Sequence, residues 1–380
     1  MEIYVVKQGD TIDTIANEFQ VQASEIAFIN QISYPYPLVI GQALLIPVQD
    51  DLQQNKRSVT VNGYAYPYIN SKVLQTTLPY LTVLSVFSYG FTTEGELIPP
   101  RLDDTEMINT ALQFGTEPVL TLTPMDENER FNNNLISVLV HSNSIQEVLI
   151  QNILEMLRRK SFSGVDVDFE YIKAEDRDFF TSFVAKLTTE LNAYGYMVSV
   201  ALAPKTSSEQ KGLLYEGKDY GGLGAAANSC LLMTYEWGYR YSEPMAVAPI
   251  NKVRQVVEYA VTQIPRDKID LGIPNYGYDW PLPYVQGETS ARTIGNIQAI
   301  EIALDNGAQI KFDETAQTPY FNYTADGIDH EVWFEDVRSM NAKFSLLEEF
   351  ELRGMGYWQI MRLFLANWVL LESRFNIIKR

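Results

Sequence analysis

An α/β fold is what the sequence predicts: a (β/α)8 TIM barrel with a small α+β insertion between strands 7 and 8, preceded by a βααβ unit. Three observations carry this. Short β-branched or apolar runs recur eight times, at 58–66, 81–89, 118–123, 164–170, 197–203, 229–235, 269–275 and 354–360. Mostly helical stretches separate them, 144–160 and 176–191 among them, and strand–helix alternation of this kind builds a parallel barrel. Residues 1–49 follow a different rhythm, which sets them apart as a domain of their own.

In that first domain a β-like run, Tyr4-Val5-Val6, leads through Gly9-Asp10-Thr11 into a helical stretch with Ile12, Ile15, Ala16 and Phe19 on one face. A second helical turn carries Ile26 and Ile29. Asn30, a loop with Pro35 and Pro37, then Gly41-Gln42 lead to a closing strand over 43–48. Residues 49–57 are polar without periodicity and read as a linker. The barrel then occupies 58–380. Its seventh connection, about 281–350, holds a helical stretch near 294–304 and a hairpin, 320–323 with 331–334, turned at Asp326-Gly327.

Composition narrows the function. With 46% hydrophobic residues the 380-residue chain can fill a large core. Its net charge of -19 repels phosphate backbones and anionic lipid, so neither nucleic acid nor a membrane surface is an expected partner. The sequence says nothing of oligomeric state. Cys230, the one cysteine, lies in an apolar run and reads as a small buried hydrophobe. Two histidines, His141 and His330, are too few for a zinc cage or a histidine-based triad, so no metal and no cofactor is expected. The start, Met1-Glu2-Ile3-Tyr4-Val5-Val6, lacks the basic region and long apolar core of a secretory signal.

Chemistry concentrates in Gly164-Val165-Asp166-Val167-Asp168-Phe169-Glu170. Side chains alternate along a strand, so Val165, Val167 and Phe169 share one face while three carboxylates share the other, roughly 6–7 Å apart. Both faces of a parallel barrel strand are covered, and unpaired buried charge costs several kcal/mol per ion. At the C-terminal end of such a strand, where active sites of this fold sit, the row reads as catalytic. Close carboxylates resist simultaneous ionisation, so Glu170, nearest the cleft, can keep a proton to donate.

Two resemblances add to this. The spacing Tyr4-x-Val6-x-x-Gly9-Asp10-Thr11, Ile15-Ala16, Phe19, Asn30, Gly41-Gln42-x-Leu44-x-Ile46-Pro47 resembles a lysin motif. Such modules bind N-acetylglucosamine-containing glycans between two loops, which implies Gly9, Asp10, Thr11 and Ile32 as contacts. The segment Gly164-x-Asp166-x-Asp168-x-Glu170 resembles the signature of family 18 glycoside hydrolases, the chitinase-like enzymes. Met233-Thr234-Tyr235-Glu236, Gly272-Ile273-Pro274-x-Tyr276-Gly277 and Gly356-Tyr357-Trp358 resemble the family's sixth-, seventh- and eighth-strand elements, in that order.

The second resemblance implies a retaining, substrate-assisted hydrolysis, an exception to the two-carboxylate scheme. The substrate's N-acetyl oxygen would attack the anomeric carbon while Glu170 protonates the glycosidic oxygen and Asp168 orients the acetamido N–H. Tyr235 would hydrogen-bond the acetamido oxygen, and Trp358 would floor the sugar site, with Asp166, Met233 and Tyr276 as further substrate contacts. The chain departs from the family in three places: Ser163 stands where its first aspartate is usual, 120–124 replaces its third-strand Ser-x-Gly-Gly, and Glu236 replaces a sixth-strand aspartate. These departures, with the lysin motif, resemble the spore-associated branch. The implied function is hydrolysis of N-acetylglucosamine-containing bonds in spore cortex peptidoglycan, by a protein made in the mother cell and deposited in the spore coat or cortex region without a signal peptide. A chitinase or endo-N-acetylglucosaminidase, or a non-catalytic glycan-binding coat protein, are the competing readings.

Overall fold

The computed structural model describes residues 1–48 and 56–379; most of the expected 49–57 linker lies outside the described residues. Eight parallel strands close the barrel: Arg57–Ala65, Val83–Phe91, Glu117–Leu122, Gly164–Val167, Met197–Leu202, Ser229–Leu232, Ile269–Pro274 and Gly354–Trp358. The first pairs with both the second and the eighth, so the sheet returns on itself. Short strands Leu97–Ile98 and Phe375–Ile377 flank it. Every run expected from the sequence overlaps one of these strands. Three of them end two or more residues early, because the C-terminal ends of the fourth, sixth and eighth runs leave the ladder.

The helical layer is amphipathic by spacing. In Asn143–Lys160, for example, Leu149, Ile150, Ile153, Leu154 and Leu157 are buried on one face. They join one continuous core with the outward-facing strand residues Val165, Val167, Val198 and Val200. Cys230 is buried there and its thiol pKa is pushed up to about 12 by burial, which makes it an inert packing group. No helix among the described residues is long and apolar enough to cross a membrane.

The seventh connection is a five-stranded antiparallel sheet, ordered Arg292–Ile294, Gly277–Leu282, Ile328–Trp333, Thr318–Ala325, Lys311–Asp313, with helix Asn296–Asp305 beside it. Its hairpin turns at Asp326 and Gly327, both left-handed (φ 54° and 77°), as a two-residue turn of this twist requires. The inserted sheet thus starts at Gly277, earlier than the expected 281, and it does not reach 350. Helix Val337–Glu349 is the barrel's own seventh helix: Met340, Phe344 and Leu347 are buried in the main core.

The N-terminal unit has the predicted βααβ order, Glu2–Val5, Ile12–Phe19, Ala23–Ile29, Ala43–Ile46, with its two strands antiparallel. Asn30 joins its halves: Nδ2 donates to the carbonyls of Ile26 (2.8 Å) and Leu45 (2.9 Å), and Oδ1 accepts from Leu45 N (2.8 Å). The unit is docked rather than tethered. Leu45 enters the barrel core, Val39 packs with Ile294, Phe321 and Phe334 of the insertion, and Ile310 N donates to Ile40 O at 2.9 Å. Gly41 makes this approach possible. Its φ is +86°, and a Cβ there would sit 1.8 Å from the carbonyl oxygen of Ile310. Gly41→Ala is therefore expected to lower the midpoint of urea unfolding, by about 1–3 kcal/mol of stability. An unchanged midpoint would mean that the docking contributes nothing.

Candidate active site

The ladder of the fourth strand ends at Val167, but Asp168 N still donates to Leu122 O at 2.9 Å, which carries the backbone one residue further along the third strand. The alternation of the sequence survives that exit. Phe169 turns into the helical layer, with ring centroids 5.7 Å from those of Phe91 and Phe180, while Asp166 and Asp168 are buried on the other side. Glu170 stands exposed at the mouth.

Each carboxylate has a different environment. Asp166 is fully buried and satisfied: Tyr64 Oη donates to Oδ2 (2.8 Å) and Ser199 Oγ to Oδ1 (2.5 Å). Burial nevertheless raises its pKa, since those two bonds only partly offset the loss of water. Asp168 is buried with Oδ1 lacking any hydrogen-bond partner among the described residues. Burial first, then the charges of Glu170 and Asp166, push its pKa well above the carboxylate range. Solvent reaches Glu170, yet the protein crowded around its carboxyl raises that pKa as well. Both pKa values are thus raised, that of Asp168 partly by the charge of Glu170.

The counterweight is Lys218, which no motif in the sequence singles out. Its ammonium is fully buried and donates to the carbonyls of Phe169 and Ala201, the latter at 3.0 Å. Burial lowers its pKa to about 8, against the pull of Asp168, Glu170 and Asp166. It limits the rise at both Asp168 and Glu170.

Around the row stand the ends of the other strands. Tyr235 is half-buried, its phenol pKa driven up by burial and by the charges of Asp168 and Glu170. Gly272 lets it lie close: a Cβ there would be 2.2 Å from Leu232 O and 3.0 Å from the Tyr235 ring. Met233 is half-buried beside it in sequence, its amide bonded to Leu202 O at 2.9 Å. Glu236 adopts a left-handed φ of 66° and accepts from Tyr276 Oη and, at 3.0 Å, from Tyr278 Oη. Tyr276 thereby serves Glu236, a partnership the sequence does not reveal. Half-buried Trp358 packs edge-on against Phe87 (4.8 Å) and Tyr66 (6.2 Å), and Tyr66 stacks on exposed Tyr68 (5.2 Å). Together they form an aromatic floor that extends outward.

In the N-terminal unit, Asp10 closes the turn before the first helix: its Oδ2 accepts from Lys7 N (2.7 Å) and Tyr4 Oη (2.9 Å). The Lys7 amide is the main reason its pKa is lowered. Thr11 caps that helix in a reciprocal pair with Thr14, and Gly9 supplies a left-handed φ of 89° with open space around it. Ile32 lines a cavity shared with the insertion, which Gly9, Asp10 and Thr11 do not line.

The profile of the LysM domain matches residues 4–47, and that of glycosyl hydrolases family 18 matches residues 129–362. The cortical fragment-lytic enzyme of Bacillus subtilis (strain 168) is 41% identical, covering 100% of this chain and 99% of the relative. The crystal structure of the Bacillus megaterium QM B1551 spore cortex-lytic enzyme SleL superposes with a TM-score of 0.94 at 34% identity, over 100% of this chain and 99% of that one. The chitinase from Chromobacterium violaceum ATCC 12472 is more distant, with a TM-score of 0.77 at 26% identity over 83% of this chain and 98% of that one. With matching strand ends, a family profile over most of the barrel and a relative aligned end to end, the chain belongs to the glycosyl hydrolases of family 18.

Proposed function

We propose that this glycoside hydrolase cleaves N-acetylglucosamine-containing bonds of spore cortex peptidoglycan by a retaining, substrate-assisted mechanism, in the coat or cortex region of a spore. The observation that carries the mechanism is the acid row: burial holds the pKa values of both Asp168 and Glu170 above the usual carboxylate range, and Asp168 keeps one oxygen without a hydrogen-bond partner among the described residues. Rotation of the Asp168 carboxyl toward the mouth would bring an oxygen to the acetamido N–H, and Glu170, reached by solvent, is suited to deliver a proton to the leaving oxygen. The substrate's acetamido oxygen then closes on the anomeric carbon as the glycosidic bond breaks, and the resulting oxazolinium faces the Asp168 carboxylate. Tyr235 supplies a donor for the acetamido oxygen, and Trp358 with Phe87 and Tyr66 supplies an apolar floor.

The cortex as substrate is supported by the cortex-lytic relatives and by charge. A chain of net charge -19 is poorly matched to strongly anionic wall polymers and better matched to cortex glycan rich in neutral muramic lactam. The barrel with its lysin unit aligns end to end with the cortical fragment-lytic and spore cortex-lytic relatives.

Glu170→Gln keeps the shape of the acid but removes its transferable proton. Release of reducing ends from cortex fragments should fall roughly 10²–10⁴-fold, while glycan binding persists. Undiminished turnover would place the acid elsewhere. Products from cortex, chitin and glycoprotein, compared by mass spectrometry, would separate this reading from a chitinase or endo-N-acetylglucosaminidase.

Lys218 gives a pH prediction with a definite sign. Its positive charge lowers the pKa values of Asp168 and Glu170, so Lys218→Met should raise them and move the alkaline limb of the kcat/KM profile to higher pH, whatever the loss in rate. Lys218→Arg, keeping the charge, should leave the limb in place. An identical limb in the Met variant would remove Lys218 from the electrostatics of the site.

A further inference from the structure

Lys218 ends an excursion of the chain that Lys205 begins. Between the fifth strand and helix Tyr220–Ala226 the chain runs outward through 206–216, where every residue is exposed or half-buried, and returns to the interior at Gly217 and Lys218. A bond closes its base: Lys205 Nζ donates to Lys218 O at 2.9 Å. Lys205 is itself held, because its amide donates to Tyr220 Oη at 3.0 Å and that hydroxyl donates to Ala203 O. On the other side Gly217 lies against the segment that follows Glu170, where a Cβ would sit 2.3 Å from Ile172 O. The main chain of Lys218 is thus pinned between the end of the fifth strand and the exit of the acid row. From there its ammonium reaches the carbonyls of Phe169 and Ala201. Lys205 is buried and forms no ion pair among the described residues. Asp219, Glu209, Glu216 and, from helix Arg177–Asn192, Arg177 act on it only from a distance, and its Nζ lies 5.9 Å from the centroid of the Tyr220 ring. An ammonium out of water without a close counter-charge is costly. The bond it makes in that place is to the backbone of Lys218.

We propose that Lys205 is a positioning residue of this active site: by clasping the carbonyl of Lys218 at the base of the excursion, it fixes where the Lys218 ammonium stands against Asp168 and Glu170. A lysine carries its charge on a flexible four-carbon stem, so the place of its Cα and the bonds at its tip together decide its distance to an acid. The attraction varies with that distance, and burial leaves it little screened. Lys218 faces Asp166, Asp168 and Glu170 of the acid row, Cys230 of the sixth strand and, at 5.5 Å, the ring of Phe180 on helix Arg177–Asn192. Lys205 bonds to none of these, so its effect on the acids passes through Lys218. The clasp also separates the exposed excursion from the acid row, since displacement of 206–216 meets the Lys205–Lys218 bond before it reaches the buried ammonium. This role rests on the reading of Glu170 as proton donor and of Lys218 as its opposing charge.

The test measures the pH dependence of kcat/KM on a soluble N-acetylglucosamine oligomer for the full chain, Lys205→Met, Lys218→Met and the double variant. Lys205→Met is expected to move the alkaline limb upward by about 0.5 pH unit or more, the direction expected of Lys218→Met. The double variant is expected to match Lys218→Met alone, because a clasp on an absent ammonium has nothing further to act on. Lys205→Arg, which keeps a charged donor, should hold the limb in place. Tyr220→Phe keeps the ring but releases the Lys205 amide, and it should move the limb in the same direction even if Lys205→Met does not fold. A second readout needs no turnover. In chain labelled with ¹³C at the lysine Cε, the Lys218 signal, assigned by its loss in Lys218→Met, should titrate at a displaced pH once Lys205 is replaced or Tyr220→Phe is made. A limb and a Lys218 titration that both stay at their native positions in the folded variants overturn the clasp, as does a limb shift that Lys205→Met adds in full to that of Lys218→Met. Absence of cleavage by the native chain, or full turnover by Glu170→Gln, would instead strike at the proposed activity and leave the lysine titration to decide the clasp, so the two failures are distinguishable.

Discussion

Burial of the Asp166–Asp168–Glu170 row is the constraint around which the barrel mouth is organised. Carboxylates taken out of water must be bonded, neutralised or balanced, and each of the three receives a different treatment. Asp166 is bonded by Tyr64 and Ser199 from the first and fifth strands, which fixes the base of the row. Asp168 is left with an unpartnered oxygen among the described residues and is driven toward protonation. Glu170 meets solvent. Lys218, equally buried, supplies an opposing charge and ties itself to the backbone at Phe169, so electrostatics and geometry of the row are set by the same side chain.

The departures from the family pattern acquire physical meaning in this arrangement. Ser163 lines a cavity of about 430 Å³ at the base of the barrel together with Asp166, Ser199, Asp270 and Arg353. The acid missing at position 163 leaves space there, and the Arg353–Asp270 ion pair, with Thr60 donating to Asp270 Oδ1 (3.1 Å), supplies the nearby charge. Glu236 is longer than the aspartate it replaces, and two tyrosines hold its carboxylate in a left-handed turn of the chain. The first change removes a charge near the base of the acid row, and the second keeps the charge but moves it to the end of a longer side chain held by Tyr276 and Tyr278.

Much of this is legible in the sequence because it depends on local period. Alternation in 164–170 tells which residues face inward, and the spacing of Ile12, Ile15 and Ala16 tells which face of the first helix is buried. What depends on tertiary proximity is not legible. Lys218 sits after the fifth strand in a segment with no periodicity, and nothing local marks it as an ion facing three acids. Tyr276 reads as a substrate contact, yet its hydroxyl is engaged by Glu236, forty residues away. Helix Val337–Glu349 groups with the insertion by sequence because its neighbours there are the hairpin, whereas its buried face packs on the barrel. The docking of the N-terminal unit through Val39, Gly41 and Leu45 likewise has no signal in a module that is already complete by itself.

Substrate assistance and direct attack by water differ in the configuration of the first product, which makes stereochemistry the most direct measurement. Proton NMR of the anomeric region, recorded within minutes of adding enzyme to a soluble N-acetylglucosamine-containing fragment, reports the newly formed reducing end before mutarotation. Closure of the acetamido oxygen on one face of the sugar and later attack by water on the other predicts the β anomer first, with the α anomer growing in afterwards. Initial appearance of the α anomer would mean inversion, and would contradict the proposed division of labour between Asp168, which holds the acetamido group, and Glu170, which protonates the leaving oxygen.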